Sequence, residues 1–518
     1  SNLTTLTLPD GRKVNHLYYG SGHLHQLNLD GQVISDMERD DLHREVFRTQ
    51  GKLTSCFGYD AMGRKAWQFA STLPAEKLSQ VHNPGINTSL LVEHAYNPIH
   101  RRYQYDPAGE LVRTLDKLRG EIKYEYEANG QLHSRDTGSL VGSEEFRYDP
   151  AANRLDFNAR QLEKVKDNRI KRWRDQEYRY DPWGNLIEKR SGHRKLQSFS
   201  YDCENRLVRA ETMLNGKLES IGTYRYDSLG RRVVKQSEIN GITEQKRFLW
   251  QGLRMLREET PGQSILYFYE PGSYAPLARV DQAEGDEQKV YYFHTDHIGT
   301  PLELSSSEGE IVWQATYRPW GALEQLAVKD VEQNLRFQGQ YYDDETGLHY
   351  NTFRYYSPET GRFNTQDPIG LHGSVNLYFY APNPIRWIDP LGWYNGEGVR
   401  QLGVYDIFHE NTLAPSEFKL NDATHFSLAN QSVYERMNVD ADFKATIEAK
   451  YPGITKHVQP RIDGSFSGDS PPKLTWHHGD SPGSLQLVDR LDHKTYHKIY
   501  HPDGTGGRNK WGGGTACR

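Results

Sequence analysis

The chain has 518 residues, with 63 basic and 69 acidic side chains and a net charge of −6. That length exceeds one ordinary core and predicts two or three domains, and the charge balance excludes a basic nucleic-acid coat. Hydrophobic residues are only 36% of the chain, yet aromatics are 12%, with 33 Tyr and 46 Gly; so many aromatics exclude wholesale disorder and favour a turn-rich β structure.

No apolar run is long enough to span a bilayer, so no membrane span is expected. The opening SNLTTLTLPDGRK lacks a signal-peptide core and starts in mid-pattern, so the expectation is a fragment cut from a longer chain. The three cysteines, Cys56, Cys203 and Cys517, make neither a disulfide framework nor a cysteine-based zinc site. Such a fold should tolerate a reducing cytoplasm.

Along the first half, a Tyr-Asp pair or a close relative recurs at Tyr59, Tyr105, Tyr126, Tyr148, Tyr180, Tyr201 and Tyr226. A spacing in the low twenties, with longer gaps where a unit has decayed, is the mark of a repeat array. The turns Asp106–Gly109 and Asp181–Gly184 place Asp, Pro and Gly where a type I turn wants them. Asp60–Gly63 and Asp227–Gly230 follow the same template without Pro, and Asn205 replaces Gly in Asp202–Asn205. Alternating segments flank each turn, so each unit reads as a hairpin. Stacked hairpins coil or close to hide their edges.

The repeat resembles the YD repeats of bacterial Rhs proteins and of the C subunits of Tc toxin complexes. Residues 291–393 resemble the Rhs-associated core through YYFHTDHIGTP, YRPWG, LRFQGQYYDDETGLHYNTFRYYSPETGRF and DPIGLHGSVNLYFYAPNPIRWIDPLGW. The resemblance implies a mainly β fold, with hairpins coiled into a hollow shell around a variable effector. The expected domains are a YD-repeat shell over 1–290, the core with a self-cleavage motif over 291–393, and an effector over 394–518.

The core ends on two DPxG strings, opened by Asp367 and Asp389. Alone, each is another type I turn. In context they resemble the Rhs self-cleavage signature, which implies an aspartyl dyad. One carboxyl stays protonated while the other activates water, and the cut falls between Trp393 and Tyr394. Trp393 stands where Leu is usual in that signature.

After Trp393 the composition changes. Eight of the 21 histidines fall in the last 125 residues: His409, His425, His457, His477, His478, His493, His497 and His501. VYERMNVDADFKATIEAKYPGI has apolar residues near helical spacing and predicts one or two helices; SFSGDSPPK predicts a loop. LTWHH and SLQLV, joined by a DSPG turn, read as two strands, and DRLDHKTYHKIYH as a short helix ending before Pro502. In this small α+β arrangement His493 and His497 share a helix face, while His477 and His478 point to opposite sides of their strand. One neighbour can then reach a metal while the other faces a bound water.

This segment resembles the Trp-His-His branch of the HNH/endonuclease VII nucleases, on Trp476, His477, His478, Leu485–Val488, His493, Gly506, Gly507 and Trp511. The resemblance implies His478 as general base and His477, His493 and His497 as metal ligands, with His501 the alternative ligand if the helix register slips. The family's Asn is not evident. Imidazole donors favour zinc or nickel over magnesium for the divalent ion. Residues 490–518 carry six basic and two acidic side chains, a patch suited to phosphates. There is no GxxxxGK[ST] and no HExxH string, which argues against a P-loop NTPase and a typical zinc protease.

The combined expectation is a secreted antibacterial Rhs effector whose shell holds, non-covalently, a self-cleaved metal-dependent nuclease acting on DNA. The resemblance further implies a cognate immunity protein, a type VI secretion spike and chaperone, synthesis in the bacterial cytoplasm and action in the target-cell cytoplasm. The alternatives are an RNase toxin, or a YD-repeat surface binding protein with a structural zinc site.

Overall fold

The computed structural model describes residues 3–20, 22–82, 89–156, 165–372, 374–393, 407–479, 482–495, 509 and 511. The chain separates into two compact units. One comprises Ser1–Arg48, Ser55–Val112 and Arg400–Arg518; the other comprises Thr49–Thr54 and Arg113–Val399. Among the described residues no helix is long and apolar enough to cross a membrane.

The repeat is a hairpin device built from local chemistry. In the turns at Asp60, Asp106, Asp181, Asp202 and Asp227, the amide three residues on donates to the Asp carbonyl at 2.9–3.1 Å. The residue making that bond has positive φ: Gly63, Gly109, Gly184 and Gly230, and Asn205 at +60°. That conformation is why Gly or Asn ends each turn. The pairing register shifts just before Tyr180, Tyr201 and Tyr226, so each turn carries a bulge that bends its strand.

The Asp side chain closes its own turn. Asp227 Oδ1 accepts the amides of Leu229 and Arg231 at 3.0 Å, and its Oδ2 accepts from Arg231 Nε at 2.7 Å. Asp202 with Arg206 and Asp60 with Arg64 repeat the pattern. The Tyr hydroxyl reaches the preceding unit: Tyr201 donates to Leu186 O at 2.7 Å and Tyr226 to Leu207 O at 2.6 Å. Asp therefore shapes a unit and Tyr joins it to the last one. This division of labour explains why the two residues recur together.

In the second unit, fifteen strands from Arg172–Trp173 to Leu323–Lys329 pair antiparallel in sequence order. Strand Lys289–Thr295 runs through position 290, so the sheet continues across the junction expected there. A four-stranded sheet follows, over Tyr341–Asp343, Leu348–Asn351, Arg354–Ser357 and Arg362–Phe363. It is locked to the large sheet by buried charge. Fully buried Arg232 pairs with Asp343, and Lys235 pairs with Asp343 at 2.9 Å and Glu345 at 2.7 Å. Burial alone would raise the Asp343 pKa, but Arg232 and Lys235 outweigh it and hold the carboxyl below its ordinary range. Pairing of this kind is what makes buried charge tolerable.

In the first unit, Thr5–Thr7, Lys13–Tyr19, His23–Leu29 and Gln32–Arg39 pair antiparallel in order, and Lys65–Ser71 pairs with Ile99–Tyr105. The C-terminal part is α+β. Strand Ser484–Asp489 lies between His409–Thr412 and Leu474–His478. Helices cover Asp422–Val439, Ala441–Lys450, Ile454–His457 and Arg490–Thr495. The first helix begins well before the predicted VYERM segment, because Asn421 caps it by accepting the Thr424 amide at 2.9 Å. Asp440 caps the second through the Phe443 amide at 2.8 Å. Their buried faces, including Val433, Met437, Phe443 and Ile447, pack with Trp476 and Leu487. Met62, at the tip of the Asp60 turn, completes that same core and is 4% exposed.

Candidate functional site

Two places gather chemistry. The first lies at the end of the Rhs-like core. Asp367 and Asp389 share one guanidinium: Arg354 Nη2 is 2.9 Å from Asp367 Oδ2 and 3.5 Å from Asp389 Oδ2. All three side chains are at most 3% exposed. Burial pushes the Asp389 carboxyl up to about 6, against the opposing pull of Arg354 and the Trp393 amide. Burial also lowers Arg354 to about 10 despite its two acidic neighbours. Dry surroundings thus dominate the site, and they favour the neutral acid at Asp389.

The loop after Asp389 is tightly clamped. The Trp393 amide donates to Asp389 Oδ1 at 3.0 Å, and Asn351 Nδ2 donates to Asp389 O at 2.7 Å. Arg354 Nε donates to Gly392 O, and the Trp393 ring stacks on Phe353 with centroids 4.1 Å apart. Gly339 has φ +81°, and a Cβ there would sit 2.0 Å from Pro390 O. The backbone passes where no side chain fits. Tyr394, on the far side of the expected cut, lies outside the described residues. The sequence pointed to the two acids; it did not point to Arg354, whose position thirteen residues before Asp367 follows no motif spacing.

The second place is the strand Leu474–His478 and its neighbours. Strand Ser484–Asp489 pairs with it, placing His477 opposite Gln486 and His478 opposite Leu485. Helix Arg490–Thr495 follows directly. The two neighbouring histidines do face apart. His477 Nδ1 lies 3.0 Å from His493 Nε2, and His477 is 2% exposed. His478 Nε2 instead lies 3.1 Å from His425 Nδ1 and 3.7 Å from Asp422 Oδ1. Asp422, His425 and His478 form a cluster able to hold a metal ion. His497 and His501, the remaining predicted ligand and its alternative, lie outside the described residues.

His409 and His457 lie on other polar partners. His409 bonds Ser432 Oγ at 2.7 Å, and burial pushes it down to about 3. His457 Nε2 donates to the Asp469 carbonyl at 2.9 Å. Asp422 and His425 were not singled out from the sequence as site residues. The available signal was the Asn421 cap, which puts both in the first turn of a helix, three apart on one face. Trp511 also reaches the site, its Nε1 donating to Gly479 O at 2.8 Å.

Residues 109–380 match the Teneurin YD-shell family, and residues 466–514 match a nuclease of the HNH/ENDO VII superfamily with conserved WHH. Double-stranded DNA deaminase toxin A of Burkholderia cenocepacia is 41% identical over 78% of this chain and 29% of its own length. Toxin protein Tse5 of Pseudomonas aeruginosa is 33% identical over 74% of this chain and 32% of its own. Probable deoxyribonuclease RhsA of Dickeya dadantii is 29% identical over 72% of this chain and 25% of its own. The chain therefore spans about a third or less of these relatives. The crystal structure of TcdB2-TccC3 superposes with a TM-score of 0.53 at 19% identity, covering 75% of this chain and 21% of that one, and shares the shell fold. A YD-repeat array matched over more than half its length and a WHH nuclease segment behind it place this chain in the Teneurin YD-shell family, among relatives that are Rhs-type toxins.

Proposed function

We propose that this chain is the shell and cargo of an antibacterial Rhs-type effector, and that residues 394–518 are a metal-dependent endonuclease cutting DNA. The observation that carries the reading is the WHH strand, which presents His477 toward His493 and His478 toward the opposite side. DNA is favoured because two relatives from Dickeya dadantii are named probable deoxyribonucleases.

The donor set fits a metal. His477 Nδ1 and His493 Nε2, 3.0 Å apart, can reach one ion. His477, His493 and the expected His497 would hold it, and a bound divalent cation supplies positive charge to the scissile phosphate. In this reading His478 takes the proton of the attacking water. The new bond joins water oxygen to phosphorus as the bond from phosphorus to the leaving sugar oxygen breaks. A neutral imidazole suits that role near neutral pH.

Release of the cargo is assigned to Asp367 and Asp389. Asp389 has the raised pKa that an acid needs, and Arg354 ties both carboxyls to one point. The cut follows Trp393, and the fragment stays held until delivery. A cognate immunity protein in the producer and secretion into a competitor's cytoplasm belong to the same reading.

The test is plasmid degradation by the purified chain with zinc, nickel or magnesium, against EDTA and against His478→Ala. Metal-dependent cutting of DNA, lost in the variant, is expected. Degradation of RNA alone moves the substrate. A variant as active as wild type removes His478 as the base, and no degradation by the wild-type chain with any of the three metals removes the nuclease assignment.

A further inference from the structure

The nuclease match begins at residue 466, yet two side chains from outside it meet His478. Helix Asp422–Val439 brings both. His425 is 0% exposed, and its Nε2 lies 2.8 Å from the Glu417 carbonyl oxygen. A carbonyl only accepts, so Nε2 of His425 carries a hydrogen. In the neutral ring the other nitrogen, Nδ1, must then be an acceptor. That atom is 3.1 Å from His478 Nε2. His478 Nε2 is therefore the donor, and the lone pair of the neutral His478 ring is at Nδ1. Asp422 Oδ1, 3.7 Å from the same Nε2, is beyond hydrogen-bond reach but sets a carboxylate beside it.

We infer that Asp422 and His425 are positioning residues for His478: His425 fixes its tautomer and ring orientation so that Nδ1 is the atom that accepts the proton of the attacking water, and Asp422 places a carboxylate beside the charge the ring acquires. The inference rests on the nuclease reading above and deepens it. The logic is that of an acid behind a catalytic imidazole, where the partner holds the ring and faces the charge the ring acquires. Ring contacts limit His478 further: Phe426 lies 5.9 Å and Trp511 5.8 Å from it, centroid to centroid. The same three residues could instead surround a cation. The His425 Nε2 hydrogen on the Glu417 carbonyl and the 3.1 Å contact from Nδ1 to His478 Nε2 form one continuous chain, and the metal content of the variants tests it against a cation.

The experiment uses the full chain with His425→Leu, His425→Asn, Asp422→Asn and the reference His478→Ala. Leu and Asn have nearly the same size, but only Asn offers an oxygen near the place of Nδ1. His425→Leu should lower kcat about 10- to 100-fold with KM within about twofold, the scale of a lost orienting partner. His425→Asn should recover most of that loss, and Asp422→Asn should cost several-fold. Metal bound per chain should be unchanged in all. If His425→Leu loses bound metal, His425 is a ligand and the inference is overturned. If His425→Asn folds with wild-type thermal stability yet is as slow as Leu, the acceptor role is wrong. Should Leu fail to fold, the Asn and Asp422→Asn rates decide: full loss in the first, or wild-type kcat in the second, overturns it. A wild-type chain that cuts no DNA with any metal would sink the nuclease reading itself; an active wild type beside a fully active His478→Ala or His425→Leu sinks only this inference.

Discussion

The backbone amide of Trp393 donates to Asp389 Oδ1 at 3.0 Å, so one acid of the proposed dyad grips the chain at the residue after which cleavage is expected. The same acid is the one pushed up to about 6 by burial. A carboxyl raised in this way is neutral at mildly acidic pH and charged above it. Self-cleavage that needs a protonated Asp389 should be fastest near pH 5 and fall as pH rises through about 6. Denaturing gels of freshly made chain, sampled across pH 5–8 and never exposed to strong acid, would show it. The linkage runs the same way: the stability this group contributes is full below its ordinary pKa of 3.8 and lost as pH rises through about 6. Asp389→Asn should abolish cutting and flatten that part of the pH–stability profile. A cleavage rate flat from pH 5 to 8 would count against Asp389 as the acid.

Gly339 tests the clamp without touching either carboxyl. Its φ of +81° alone costs a non-glycine residue about 1–3 kcal/mol, and its Cβ would collide with Pro390 O. Gly339→Ala should displace the DPLG loop, slow self-cleavage at least tenfold and lower the thermal midpoint. Normal cutting in this variant would mean the loop need not be held for the chemistry.

Met62 offers a test of how the cargo is held. It sits at the tip of a repeat turn yet belongs to the buried core of the C-terminal part, with Arg436 Nη2 near Ala61 O at 3.5 Å. Met62→Asp would place a carboxylate among Phe408, Val433 and Ile447, whereas Met62→Leu preserves apolar volume. Native size-exclusion chromatography of cleaved protein should show the fragment leaving residues 1–393 in the Asp variant and co-eluting with them in the Leu variant. Co-elution in both would place retention in other contacts.

What the sequence made legible follows the range of the interactions. The Tyr-Asp hairpins were readable because Asp, its turn and the Gly or Asn that ends it lie within four residues. The Arg231 side chain that completes the Asp227 turn is as local and could have been read as part of the motif. The two strands and helix around His477 and His478 were readable for the same reason. Arg354 and His425 were not, because 53 positions separate His425 from His478 and only packing brings them together. The helix over Asp422–Val439 was placed too late because its start depends on a single cap, Asn421, ahead of a weakly patterned first turn.

The contrast between the two neighbouring histidines decides the nuclease centre. His477 and His493 face one another at 3.0 Å, while His478 turns toward Asp422 and His425. Removing a base and removing a ligand have different signatures. His478→Ala should lower the rate of DNA cleavage by about two to four orders of magnitude while bound metal stays near wild type. His493→Ala and His477→Ala should lose metal and activity together, since each leaves an incomplete ligand shell. Metal per chain by elemental analysis, set beside the cleavage rate of the same sample, gives both readouts. If His478→Ala empties the site and His477→Ala keeps its metal, the ion belongs with Asp422 and His425 on the other face of the strand, and the roles of the two neighbours exchange. If His497→Ala is silent while His501→Ala is dead, the helix presents its second ligand one turn later. If every variant cuts DNA at the wild-type rate, the histidines serve structure alone.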